Sequence, residues 1–196
     1  MSLFLAMAAF ALAMSISPGS VNIVALSAGV RYGVRVSLRH VTGATVGFTL
    51  LFLLVGLGLH GLLLRWTSLT LAIQLAGVGF LLYMAWNLLR DDGRVSRDEA
   101  TSGPSVIHGA LMQWLNPKAW LASVSGMGAF VADGNVRMVL LFALIYFVIC
   151  YLSIAAWVWA GAMLGRYLDQ PGKVRLFNRC MAALLVGSAL YLLLAD

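Results

Sequence analysis

MVLLFALIYFVICYLSIAAWVWAGAMLG, residues 138–165, carries no charged side chain from one end to the other. A helix of about 20 apolar residues crosses the roughly 30 Å hydrocarbon layer of a bilayer. This stretch is longer than that, so it must tilt or leave one end in the interface. Working outward from it, similar apolar stretches recur at about 4–27, 41–64, 66–89, 107–131 and 176–194. The last is the shortest and carries Asn178 and Arg179 near its start. Charged residues make up 10% of the chain and hydrophobic ones 62%, with mean hydropathy +0.94. A soluble domain carries about 25% charged residues to cover itself. The pattern predicts an all-α integral membrane protein with six transmembrane helices forming one membrane domain over residues 1–196. No Lys or Arg precedes the first apolar run, so that run reads as a retained helix and not as a cleaved signal.

The positive charges fix an orientation. Of the 13 Lys and Arg residues, all but Arg65, Arg137 and Lys118 fall in three loops. These loops hold Arg31, Arg35 and Arg39; Arg90, Arg94 and Arg97; and Arg166, Lys173, Arg175 and Arg179. The positive-inside rule puts all three in the cytoplasm, which leaves both termini outside. The net charge of +6 is spread over short loops with no basic stripe for a phosphate backbone to follow, which argues against a nucleic-acid partner. Cys150 and Cys180 have neither CxxC nor metal-ligand spacing, so no cofactor or metal is expected. The polar stretch 90–105, with Gly93, Gly103 and Pro104, reads as a cytoplasmic linker between two halves, about 1–89 and 106–196.

The halves resemble each other. Ser17-Pro18-Gly19-Ser20 interrupts the first span and Asn116-Pro117-Lys118 the fourth, with the prolines 99 residues apart in a chain of 196. Gly79 to Tyr83 and Gly187 to Tyr191 both read G-x-x-L-Y. Three spans per half is an odd number, so the halves are expected to be inverted three-helix repeats. Paired, interrupted helices in such repeats point to a transporter's binding site. Proline has no N–H and clashes with the carbonyl four residues earlier. Pro18 is thus expected to free the Met14 carbonyl, and Pro117 that of Gln113. Carbonyls at such a break can receive a substrate ammonium, and the N–H groups beyond it can hold a carboxylate. A structural kink is the plain alternative for either break alone.

Lys118 is the one basic residue well inside a span. A charge at the bilayer centre costs about 2.5–3.5 kcal/mol or more. The interface lies about 15 Å away at ~1.5 Å per residue, too far for the side chain to snorkel easily. It is expected to face a polar cavity, either holding a substrate carboxylate or pinning the break against Ser17 and Asn22. All seven acids lie in loops or at the end of the chain, which favours a neutral substrate and leaves no carboxylate within a span to carry protons. His40, His60 and His108, near span ends, read as structural. The small-xxx-small pairs Gly43/Gly47 and Gly161/Gly165 read as packing seams, within a subunit or between subunits of a homo-oligomer. Trp66, Trp86, Tyr83 and Tyr167 suit an interfacial belt. Trp114 and Trp120 flank the second break, where they either line the cavity or simply pack. Ser17, Pro18, Gly19, Ser20, Asn22, Gln113, Asn116, Pro117 and Lys118 are therefore the candidate substrate-binding residues.

Ser17-Pro18-Gly19-Ser20-Val21-Asn22, followed by Gly29-Val30-Arg31-Tyr32-Gly33, resembles the PGP-N-N … G-x-x-x-G signature of the LysE/RhtB amino-acid exporters. Gly43 and Gly47 fit the family's next glycine pair. Gly79 through Arg90 is similar to its Y-L-x-W-x-L-x-R segment, and Gly109 through Ala119 to its G-x-x-x-Q-x-x-N-P-K-A segment. The resemblance implies a multi-pass exporter of amino acids or their derivatives in the bacterial inner membrane, coupled to the proton gradient. Asn22 through Ser27 is most similar to the exporters of cysteine and neutral amino acids. Two positions depart from the pattern: Ser20 replaces the second proline, and Phe48 stands where several relatives carry a polar or acidic residue. Three other classes fit less well. A membrane enzyme needs a nucleophile with its base, or metal ligands, at membrane depth, and none is visible. A structural subunit does not account for Lys118. A channel favours repeated polar rings over one inverted pair.

Overall fold

A computed structural model describes residues 3–59, 67–90, 105–131, 135–168 and 170–194. His60, Arg65, Trp66, the linker residues 91–104 and all seven acids lie outside the described residues, as do the side chains of Ser188 and Tyr191. The described secondary structure is helical: α1 (Leu3–Ile16), α2 (Ser20–Leu54, prolonged by a π turn, Val55–Leu59), α3 (Thr67–Arg90), α4 (Val106–Trp114), α5 (Pro117–Phe130), α6 (Val136–Gly165) and α7 (Pro171–Leu194). Two continuous stretches, Ser20–Gly58 and Val136–Gly165, are long and apolar enough to cross a membrane.

Local chemistry starts three of these helices. Ser105 caps α4 by accepting from the His108 N–H, and Asn116 caps α5 by accepting from the Lys118 N–H, with Pro117 in the first turn. Asn135 caps α6 by accepting from the Arg137 and Met138 N–H groups. Proline is tolerated at the first helical position because its missing N–H would have no partner there. On the outer side of α6, Leu140, Leu144, Val148, Leu152 and Trp159 are all exposed. Such an uninterrupted apolar stripe on a water-facing surface would drive association, whereas facing lipid it needs no cover.

Between the first two apolar stretches, the expected loop carrying Arg31, Arg35 and Arg39 is helical on both sides of a single residue. Gly33, at φ +70° and ψ −179°, is the break. This backbone region is essentially reserved for glycine. The first arm of α2 runs beside α6 in the same direction, because Leu26 meets Gly161 and Val30 meets Gly165. The second arm runs against α6. Its Phe48 ring lies 4.5 Å from that of Tyr146, and its Phe52 ring 4.9 Å from that of Phe142. The chain therefore doubles back at Gly33.

The broken helix α4–α5 lies along the second arm of α2, with Gly43 against Val106, Gly47 against Ala110 and Gly126 against Phe52. The broken helix formed by α1 and the first arm lies along α6, with Phe10 near Phe142 and Tyr146, and Ile16 near Trp157. The glycine pairs are thus packing seams within the chain. A Cβ built on Gly43 would overlap the Val106 carbonyl, and one on Gly161 that of Leu26. Helices α3 and α7 pack on each other beside this four-element core. Helix α7 begins at Pro171, earlier than the apolar stretch alone indicated.

Candidate functional site

The two proline breaks meet. Met14, Gly19 and Asn22 from the first break and Gln113, Asn116 and Lys118 from the second line one small cavity of about 40 Å³. Phe48 of α2 and Tyr146, Cys150 and Ile154 of α6 wall it. Ser17 and Pro18 touch the site through Lys118. Ser20 is buried at the start of α2 and Pro117 opens α5, and neither lines the cavity.

Lys118 joins the breaks. Its Nζ donates to the Ser17 carbonyl at 3.0 Å, to Ser17 Oγ at 2.7 Å and to the Pro18 carbonyl at 3.4 Å. Asn22 holds the first break from the other side, its Nδ2 donating to the carbonyls of Ser15 and Ser17, both at 2.9 Å. Of the two roles expected for Lys118, pinning the break is the one seen in this conformation, with Ser17 and not Asn22 as its partner.

The carbonyls expected to be free are occupied. Met14 accepts from Ser17 Oγ at 3.2 Å, and Gln113 accepts from the Asn116 N–H at 3.2 Å. In hydrocarbon an unpaired backbone group costs several kcal/mol, so neighbours within three residues close both gaps. The exposed acceptors lie instead one turn on, at Ser17 and Pro18, where Lys118 holds them.

The breaks differ at their helix starts. Asn116 caps α5 with its side chain, but no side chain caps α2 at Gly19. The first N–H groups of α2 (Ser20, Val21 and Asn22) therefore stand beside the cavity with the positive end of a helix dipole behind them, an arrangement suited to an anion. Ser15 adds a buried hydroxyl that makes no hydrogen bond of standard geometry and sits near Tyr146 and Cys150.

Trp114 and Trp120 brace the second break and do not line the cavity. Trp114 Nε1 donates to the Gly47 carbonyl at 3.0 Å, and Trp120 Nε1 to the Trp114 carbonyl at 2.7 Å. Tyr146, Cys150 and Ser15 are cavity residues that sequence reasoning missed. They stand in apolar helices with no local signal, and only the register of α6 beside the first break brings them in.

The family model of LysE-type translocators matches residues 12–196. The chain belongs to the LysE-type translocator family. Members of this family are membrane transporters, so the cavity belongs to a transport protein and not to an enzyme. The chain is 29% identical over 184 residues to a cysteine/O-acetylserine efflux protein of Klebsiella pneumoniae, a match covering 90% of each. It is 23% identical over 188 residues to an uncharacterized membrane protein of Vibrio cholerae, covering 93% of this chain and 92% of the relative. No solved structure matches it.

Proposed function

We propose that this translocator exports small neutral amino acids, or derivatives of the cysteine and O-acetylserine kind, across the bacterial inner membrane. The observation that carries this reading is the meeting of both proline breaks at one cavity that Lys118 bridges. A zwitterion needs a cation or N–H groups for its carboxylate and oxygen acceptors for its ammonium. Lys118 and the uncapped start of α2 supply the first. The carbonyls of Ser17 and Pro18, with the amide oxygens of Gln113 and Asn116, supply the second once Lys118 turns to the carboxylate. None of the described residues is acidic, which disfavours a cationic side chain in the substrate.

About 40 Å³ holds roughly one water molecule, whose share of the liquid is about 30 Å³. This conformation is therefore closed to substrate, and loading requires the two breaks to part. A substrate carboxylate that draws Lys118 away from Ser17 supplies that opening with its own binding energy. Six spans in two inverted units, both termini outside, fit the packing. Each broken helix lies parallel to the unbroken second helix of the other half, as a pseudo-two-fold axis in the membrane plane requires. Export coupled to the proton gradient is part of the same proposal. With no acid among the described helices, the coupling proton must travel on other groups.

The test is an export screen: cells overproducing the chain are loaded with labelled neutral amino acids and excretion is followed. Excretion of at least one compound that stops with Lys118→Ala supports the proposal. No excretion of any, from cells with abundant protein in the membrane, refutes it. Residues 90–105 should be reached by membrane-impermeant label only from the cytoplasmic side, and labelling from outside would overturn the orientation.

A further inference from the structure

A second, larger cavity opens at the end of the bundle that carries Arg31. It measures about 230 Å³ and lies between α2, α3, α4 and α7. Val24 and Ala28 of the first α2 arm and Met112 of α4 continue into it the same helix pair whose Asn22 and Gln113 line the central site. The two cavities thus lie one after the other along the same helix pair. The central one holds about a single water, whereas at about 30 Å³ per water the outer one has room for roughly seven such groups, the size of a small amino acid.

Its lining is chemically selective. Arg31, its guanidinium 5.2 Å from the Tyr32 ring, and His108 supply cationic or donor groups, and Asn87 and Asn178 supply amides. No acid lines it. His40 is 1% exposed, yet its Nε2 has no hydrogen-bond partner although the residue lines this cavity. When Nδ1 carries the proton of the neutral ring, Nε2 is a buried acceptor awaiting a donor. Leaving such a group unsatisfied is costly, so a ligand that brings an N–H to it has a ready place.

We propose that this cavity is an outer amino-acid site, where Arg31 and His108 take the carboxylate and His40 Nε2 accepts from the α-ammonium of a zwitterion with an uncharged side chain. The inference rests on the transport reading above. The substrate waits in the outer site until the central breaks open, with the wall at His40 giving way enough for the ammonium to reach Nε2. Tyr83, Met84 and Leu88 of α3 form the apolar wall that its side chain meets.

The test uses purified full-length protein in detergent, with reduced L-cysteine as the probe. Lys118→Ala protein should still bind it, and adding Arg31→Gln (half-buried) or His108→Gln (exposed) should weaken binding about tenfold. Propionate, which lacks the ammonium, should bind at least tenfold more weakly than L-cysteine; equal binding would overturn the role of His40. In inside-out vesicles Arg31→Gln should raise the half-saturating concentration about tenfold and leave the maximal rate within twofold, whereas a merely structural defect would lower the maximal rate. Glycerol 3-phosphate displacing the probe more strongly than amino acids do would make this a lipid-headgroup site and overturn the proposal. If wild-type cells export cysteine but Arg31→Gln changes neither binding nor half-saturation, the outer site alone is wrong. If wild-type protein neither exports nor binds any amino acid, the transport reading fails and this site falls with it.

Discussion

Replacing Lys118 by Met removes three hydrogen bonds and one charge while keeping an unbranched stem in place. The bonds run to the Ser17 carbonyl, Ser17 Oγ and the Pro18 carbonyl. At about 1.5–3 kcal/mol for each hydrogen bond from a charged group, about 4.5–9 kcal/mol would be lost. Against that, the variant no longer holds a cation at membrane depth, a saving of about 2.5–3.5 kcal/mol. Ser17 also keeps other partners: its carbonyl accepts from Asn22 at 2.9 Å, and its hydroxyl donates to Met14 at 3.2 Å. The loss exceeds the saving by about 1–6 kcal/mol, so the variant should melt below wild type, and export is compared on protein that stays folded. Transport should not survive. A carboxylate bound without its cation loses about 3–5 kcal/mol, and each 1.36 kcal/mol is tenfold. Export should therefore fall about 10²–10⁴-fold. The assay is release of labelled amino acid from proteoliposomes containing equal, monodisperse amounts of each protein. Near-wild-type release by Lys118→Met would refute the carboxylate role. Collapse of the variant on purification would instead make Lys118 a structural pin.

Three further outcomes follow from the packing. Gly33→Ala should destabilise the protein by about 1–3 kcal/mol, since alanine is strained at φ +70° and ψ −179°. Gly79→Ala, inside α3 with open space at the added methyl, should instead stabilise by about 0.5–1 kcal/mol; thermal unfolding of the pair in one detergent checks both. Gly161→Val should force α6 away from the Leu26 backbone and sharply lower the amount of folded protein seen by size-exclusion chromatography, and wild-type yield would contradict the seam. Asn22→Ala leaves the buried Ser15 carbonyl without its donor, while the Ser17 carbonyl keeps Lys118, and should lower stability by about 1–3 kcal/mol, with export reduced as well.

Hydropathy and proline are local properties, so the apolar helices, both breaks and the place of Lys118 at the second break are legible in the sequence alone. The meeting of the breaks is legible only in outline, from their half-chain separation. What sequence cannot reveal depends on register. Whether Trp114 faces a cavity or a neighbouring backbone is decided by how α4 lies on α2, and there its indole finds the Gly47 carbonyl. The carbonyls of Met14 and Gln113 looked free because a proline removes a donor, but chain flexibility just past each helix end lets Ser17 and Asn116 restore one. Phe48 is marked in the sequence as a departure from the family pattern. Its position in the cavity wall, its ring tilted against that of Tyr146, emerges only from the antiparallel packing of α2 and α6. The outer cavity is invisible in the sequence, because His40 and His108 look like ordinary interfacial histidines until four helices converge on them.

The crossing of the halves, each broken helix lying along a helix of the other, limits how such a molecule can move. At Gly43 and Gly161 the contacts are backbone on backbone, with no side chain between to yield. Rocking one half as a rigid block would have to shear both seams at once. The link through Leu115 is itself held, because Gly77 packs on the Leu115 carbonyl, whereas the side chains of Lys118 and Asn22 hold the link at Ser17 and Pro18. A motion that opens the cavity should therefore begin at Ser17, Pro18 and Gly19, against a frame that stays locked.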